Sequence, residues 1–127
     1  MGAWGLRFDQ NDDAADWLAE FADEPSWEAV DSALSACSAE YVEAPECSMA
    51  LAAAEVVAAG LGSPSSDLDE AVLEWATGNS SGAAGRRQAA QVALARIRDD
   101  SELNELWQEA DEYADWQASV NETLARL

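Results

Sequence analysis

The chain has 127 residues, 49% of them hydrophobic, with 26 acidic side chains against 6 basic ones, all arginine, for a formal net charge of −20. That length suffices for one hydrophobic core, while the charge opposes direct binding to nucleic acid or anionic lipid, which needs cations to replace counterions on phosphate. No stretch reaches the roughly 20 apolar residues of a membrane-spanning helix, because the most apolar run, Met49 to Leu61, is short and carries Glu55.

The opening Met1-Gly2-Ala3-Trp4-Gly5 lacks the basic start and apolar block of a secretory signal, and Leu6 stands where myristoylation wants Ser or Thr. We therefore expect a cytoplasmic protein. Trp4 reads either as an exposed recognition arm or, more simply, as an aromatic folded back into the core, with Gly2 and Gly5 letting the backbone turn. A first helix is predicted over Asp12 to Asp23, where Ala14, Trp17, Leu18, Phe21 and Ala22 form one stripe. Asn11 or Asp12 can cap it, and Pro25 ends it. Ser26 caps a second helix on which Trp27, Val30, Leu34, Cys37 and Tyr41 recur at helical spacing, fading before Pro45. Pro45 suits the first turn of a third helix, Glu46 to about Ala59, closed by Gly60 and Gly62. This segment is apolar nearly all round, so it belongs in the middle of a bundle.

Ser66 and Asp69 resemble a capping box opening a fourth helix with Leu68, Val72, Trp75 and Ala76 inward. Gly78-Asn79-Ser80-Ser81-Gly82 reads as a flexible linker. A fifth helix, Ala84 to Arg98, turns Ala90, Leu94 and Ile97 inward and carries Arg86, Arg87, Arg96 and Arg98. The last follows Asp99-Asp100-Ser101, with one stripe of Leu103, Leu106, Trp107, Ala110 and Ala114 and an offset set of Tyr113, Trp116, Val120, Leu124 and Leu127. The offset predicts a kink or break near Asp115, or a helix with two buried faces. With no strand signal and no repeat, the expectation is a single all-α domain over residues 1–127, a compact array of about six helices around a central Ala-rich helix.

Three blocks of this sequence carry a resemblance. The opening Met1-Gly2-Ala3-Trp4-Gly5 with Asn11-Asp12-Asp13-Ala14-Ala15-Asp16-Trp17, the central Glu43-Ala44-Pro45-Glu46-Cys47 with Ala52-Ala53-Ala54-Glu55-Val56-Val57-Ala58, and the late Asp100-Ser101-Glu102-Leu103-Asn104-Glu105-Leu106-Trp107 resemble the bacterial family catalogued as domain of unknown function 4259. The chain departs from that family at Leu6-Arg7-Phe8-Asp9, where the family pattern has a Gly and an aromatic. The resemblance implies a small bacterial domain with no established activity and no catalytic residues to transfer. Trp4, Asn11, Asp12, Asp16 and Trp17 form its N-terminal motif here.

Glu55 is the most informative single residue, because a carboxylate inside an all-round apolar helix must find a partner. Arg86, Arg87, Arg96 and Arg98 of the fifth helix are the expected partners, giving a candidate buried polar site of Glu55, Glu46 and Arg96. The plainer reading is a structural ion pair. The alternative is an enzyme or metal-binding site in which Glu55, with Glu46 or Glu43, serves as a base or a carboxylate ligand between the third and fifth helices. The chain has no His, the usual second ligand of carboxylate-bridged bundles, and only two cysteines, Cys37 and Cys47, so four-ligand zinc is not expected. Two buried thiols are expected rather than a disulfide.

Asp9, Asn11, Asp13 and Glu20 match part of a calcium-loop pattern, but Ala14 stands where that loop needs Gly, and helix capping explains them better. A Ser or Cys nucleophile would lack both His and Lys as a base. Gly82-Ala83-Ala84-Gly85-Arg86-Arg87 has no preceding strand and no P-loop Lys. No cofactor and no catalytic residue is therefore expected. The acidity itself has three readings: a basic partner protein, imitation of nucleic acid or, the favoured one, a salt-adapted or GC-rich host. Asp and Glu on the outer sides of helices one, two, four and six alike suggest an overall coat, and a stand-alone housekeeping or stress domain stays open beside an interaction role. Together the exclusions favour a non-catalytic, inhibitor-like or immunity-like interaction domain, with a basic protein as its partner and neither nucleic acid nor membrane bound directly.

Overall fold

A computed structural model describes residues 12–66 and 68–127. Trp4 and Asn11 of the N-terminal motif, and Asp9 of the calcium-loop pattern, lie outside the described residues. The elements run α1 Asp12–Asp23, α2 Trp27–Ser35 with a 3-10 turn Ala36–Ser38, α3 Ala44–Gly60 and α4 Glu70–Gly78. Two further 3-10 turns, Ser80–Gly82 and Ala84–Arg86, lead into α5 Arg87–Asp99, α6 Glu102–Gln108 and α7 Tyr113–Arg126. The fold is all-α, with no strand among the described residues.

α3 is the hub and touches each of the other helices. From Ala52 to Ala59 every residue is buried, which is what an apolar surface on all sides of a helix requires. Its alanines let the surrounding helices come close. Valines, leucines and aromatics from those helices complete the core: Leu18 and Phe21 from α1, Val30 and Leu34 from α2, Val72 from α4, Leu94 and Ile97 from α5, Trp107 from α6, Trp116 and Val120 from α7.

Local chemistry sets the ends of these elements. Ser26 Oγ accepts from Ala29 N–H at 3.2 Å and caps α2 as expected. The regular helix stops at Ser35, however, so the chain turns before Tyr41, which is 51% exposed instead of inward. α4 begins at Glu70, capped by Asp69, whose carboxylate accepts from Ala71 N–H at 3.2 Å, so the Ser66–Asp69 capping box is not the device that starts it. The expected flexible linker is instead a packed corner of two 3-10 turns. Ala83 there is fully buried, and a Cβ on Gly82 would fall 2.4 Å from Nε1 of Trp27. Glycine is needed at that position for close approach, not for mobility.

The last predicted helix divides in two, and it does so between Gln108 and Tyr113, upstream of Asp115. This break turns the Tyr113, Trp116 and Val120 side of α7 toward the core, and it leaves Leu106, expected inward, 42% exposed on α6. The rings of Trp107 and Trp116 lie parallel across the break, with centroids 6.2 Å apart.

Candidate functional site

The residues proposed from sequence as one polar site separate along α3. Glu55 and Glu46 are nine residues apart, about 13 Å of helix at 1.5 Å per residue, and each has a different environment.

Glu55 lies in the C-terminal half of α3 and is 2% exposed. Its partner is Arg126 of α7, not an arginine of α5. Arg126 Nη1 donates to Glu55 Oε1 at 2.8 Å and Nη2 to Oε2 at 2.9 Å, a bidentate fork, and the Thr123 hydroxyl donates to Oε2 at 3.0 Å. Arg126 also donates to Ser63 O at 3.2 Å and to Glu122 Oε1 at 3.0 Å. The hydrogen bonds to Glu55, outweighing partial burial, hold the guanidinium proton more tightly than usual. Three of the carboxylate's roughly four acceptor positions are taken and an opposite charge is in contact, the arrangement of a structural ion pair.

The expected partners on α5 are engaged elsewhere. Arg86 forks onto Asp31, Nε to Oδ1 at 2.8 Å and Nη2 to Oδ2 at 2.9 Å. Arg98 is held by Asp99 and by Asn121 Oδ1, and Arg87 is exposed on the outer side. Arg96 donates to three carbonyls, Cys37 O at 3.2 Å, Glu40 O at 2.8 Å and Asp100 O at 2.9 Å, tying the end of α2 to the end of α5.

The N-terminal end of α3 is a polar corner. Glu102 braces it from α6: its N–H donates to Val42 O at 2.9 Å and its Oε1 accepts from Ala44 N–H at 2.7 Å, which caps α3 from a distant part of the chain. Cys37 and Cys47 are buried free thiols. Burial, reinforced by the charge of Cys47 and opposed by Arg96, pushes Cys37 up to about 12, and Cys47 is raised mainly by burial. Neither is a thiolate at neutral pH, so neither is a nucleophile. Glu46 Oε2 and Ser48 Oγ are buried and find no hydrogen-bond partner among the described residues. Among the described residues, no group of three or more His, Cys, Asp or Glu side chains is placed to hold a metal ion.

An open groove of about 500 Å³ runs between α2 and α5, walled by Leu34, Ser35, Cys37, Ala89, Val92 and Ala93. Asp31 at its edge is already held by Arg86. The groove offers no free base beside a nucleophile.

On α1, Asp12 and Asp16 are exposed on the outer side, whereas Trp17 leans inward and stacks on Phe21 with ring centroids 5.1 Å apart. Sequence reasoning missed the continuation of that stack. Phe21 meets Trp75 edge-on at 5.2 Å, Trp75 meets Trp27 at 5.0 Å, and the guanidinium carbon of Arg86 lies 5.2 Å from the centroid of the Trp27 ring. It also missed Arg126. The available signal was Thr123 and Arg126 at i, i+3 on the final helix, beside the apolar Val120 and Leu124.

The described residues thus define a small all-α domain held by one internal ion pair. The chain belongs to the family described as domain of unknown function (DUF4259), whose model matches residues 2–119. No curated protein and no solved structure matches it. No described helix is long and apolar enough to cross a membrane.

Proposed function

We propose that this domain is a non-catalytic protein-interaction module of the cytoplasm, inhibitor-like or immunity-like, whose acidic surface meets a basic protein partner. One observation carries the reading. No Lys or Arg occurs between Asp12 and Gly85, and among the described residues Asp12, Asp16, Glu20 and Asp23 on α1, with Glu70 and Glu74 on α4, are exposed and enter no ion pair. Among the described residues the arginines sit on the second of the two adjacent 3-10 turns, on α5 and on α7 instead, so the charge there is lopsided. An uncompensated field of this kind steers a cationic partner and repels phosphate. Nucleic acid and membrane surfaces are accordingly not its direct ligands.

The test is capture from the source cells with elution by salt, comparing the wild-type domain with a variant carrying Asp12→Asn, Asp16→Asn, Glu20→Gln and Asp23→Asn. A basic protein retained by the wild type and released from the variant supports the reading. Equal retention by both, or retention of acidic proteins only, removes its basis. Salt gives a separate check on the field itself. Self-repulsion weakens the fold at low ionic strength, so the melting temperature should rise toward about 0.15 M salt, where the screening length is about 8 Å. A flat response would mean that the charges do not act together.

A further inference from the structure

Resting on the basic-partner reading, we propose that the docking surface is the Trp17 edge of α1, and that it takes an arginine side chain of the partner between the Trp17 ring and the carboxylates of Glu20 and Glu24. The molecule contains a worked instance of this recognition at the other end of the same aromatic stack. There Arg86 lies against Trp27, forks onto Asp31 and donates from Nη1 to Gly82 O at 2.9 Å. Ring face, carboxylate and carbonyl together satisfy a guanidinium, which binds a ring face and a carboxylate at once because it is flat and its donors point outward in its own plane.

Trp17 presents a ring and neighbouring carboxylates with no cation on them among the described residues. Residues 17, 20 and 24 follow i, i+3, i+7 and share one side of the helix, and the turn continues past Asp23 because Glu24 N–H donates to Glu20 O at 3.2 Å. Glu20 and Glu24 are exposed and Trp17 is partly exposed. The indole is held in place from behind by Phe21, nearly parallel at 19°, and Phe21 by Trp75. A ring fixed in this way loses little freedom when a ligand stacks on it. Among the described residues no guanidinium stands over Trp17, and every arginine near the stack is the one already on Trp27.

Charge alone would attract lysine and arginine equally. Stacking separates them, since the flat guanidinium gains more from a ring face than a compact, strongly hydrated ammonium does. The experiment titrates the domain with an oligo-arginine and an oligo-lysine peptide of equal length, following the Trp17 indole N–H resonance. The arginine peptide should bind about 3-fold more tightly than the lysine peptide, with the Trp17 signal moving. Trp17→Leu should abolish the preference. Glu20→Gln with Glu24→Gln, both on exposed positions that leave the core intact, should weaken the arginine peptide more than Glu105→Gln on α6 with Glu109→Gln just after it.

Equal binding of the two peptides, unchanged by Trp17→Leu, overturns this surface and leaves the basic-partner reading standing. Failure of both peptides to bind at moderate salt overturns that reading as well. An Arg7→Gln variant that binds the arginine peptide more tightly than the wild type would show that the chain's own arginine fills the position, and would overturn a partner as its occupant.

Discussion

The two ends of α3 face the same problem, polar groups inside an alanine-rich hub, and solve it to different degrees. At the C-terminal end Glu55 accepts three hydrogen bonds from Arg126 and Thr123. At the N-terminal end Glu46 Oε2 and Ser48 Oγ are buried without partners among the described residues, beside two thiols that burial keeps protonated. The difference separates a group retained for structure from groups the fold merely tolerates. A fully buried charge such as Glu55 must be paired or the helix cannot be central, whereas Glu46 is only half-buried as a residue and one orphaned hydroxyl costs little enough to persist. A carboxylate in an apolar helix is therefore first evidence of a counter-ion, and only its leftover bonding capacity is evidence of chemistry.

The sharpest way to break this contrast is to remove each half of the ion pair. Arg126→Ala strands a carboxylate that is 2% exposed and should cost about 3–4 kcal/mol. Glu55→Ala leaves an arginine with a 19% exposed side chain that still reaches Glu122, so the loss should be nearer 2 kcal/mol. Urea unfolding of the two variants measures the asymmetry. Equal and small costs for both substitutions would mean that the pair is solvated and dispensable.

How much of this was legible beforehand follows the same division. The bounds of α1, the Ser26 cap and the burial of α3 were readable because each depends on local periodicity or one side chain. That Glu55 needs a counter-ion was readable too. Its identity was not, because the order of helices around α3 is fixed by packing, and α7 rather than α5 runs along the Glu55 stripe. Cys37 and Tyr41 continue the α2 spacing, yet the regular helix ends at Ser35 and the 3-10 turn that follows at Ser38, so one is buried and the other exposed. Gly82 reads as a linker residue from composition alone, and only its contact with Trp27 shows why no side chain fits there. The aromatic stack joins α1, α2 and α4 and has no signature on any one of them.

Alkaline unfolding probes the N-terminal end. Cys37 titrates near 12 in the fold against an ordinary thiol value of 9.0. Its folded pKa is raised, so its contribution to stability is complete below about pH 9 and is lost as pH climbs through about 12. Between about pH 8 and 10 the wild type should lose roughly 1 kcal/mol on this account. Cys47 adds to the same slope. Tyr41 contributes as well, because its hydrogen bond to Glu105 Oε2, 2.7 Å long, raises its hydroxyl to about 12. Cys37→Ala should flatten the decline, as read from urea midpoints across that range. An unchanged slope would show that the thiol ionises freely and that the corner is open to water.

The smallest effect is the most direct test of what the fold tolerates. Ser48 is 2% exposed and its hydroxyl has no partner among the described residues. Ser48→Ala removes an unsatisfied polar atom, leaves a good helix former and opens a cavity of only one oxygen. The substitution should therefore stabilise the protein, by up to about 1 kcal/mol. Denaturant midpoints with an unchanged m-value would confirm the sign. A loss of about 1 kcal/mol or more would instead reveal a buried water bonded to Ser48. In that case the N-terminal end of α3 is satisfied through solvent, and the contrast between the two ends reduces to the kind of partner each one uses.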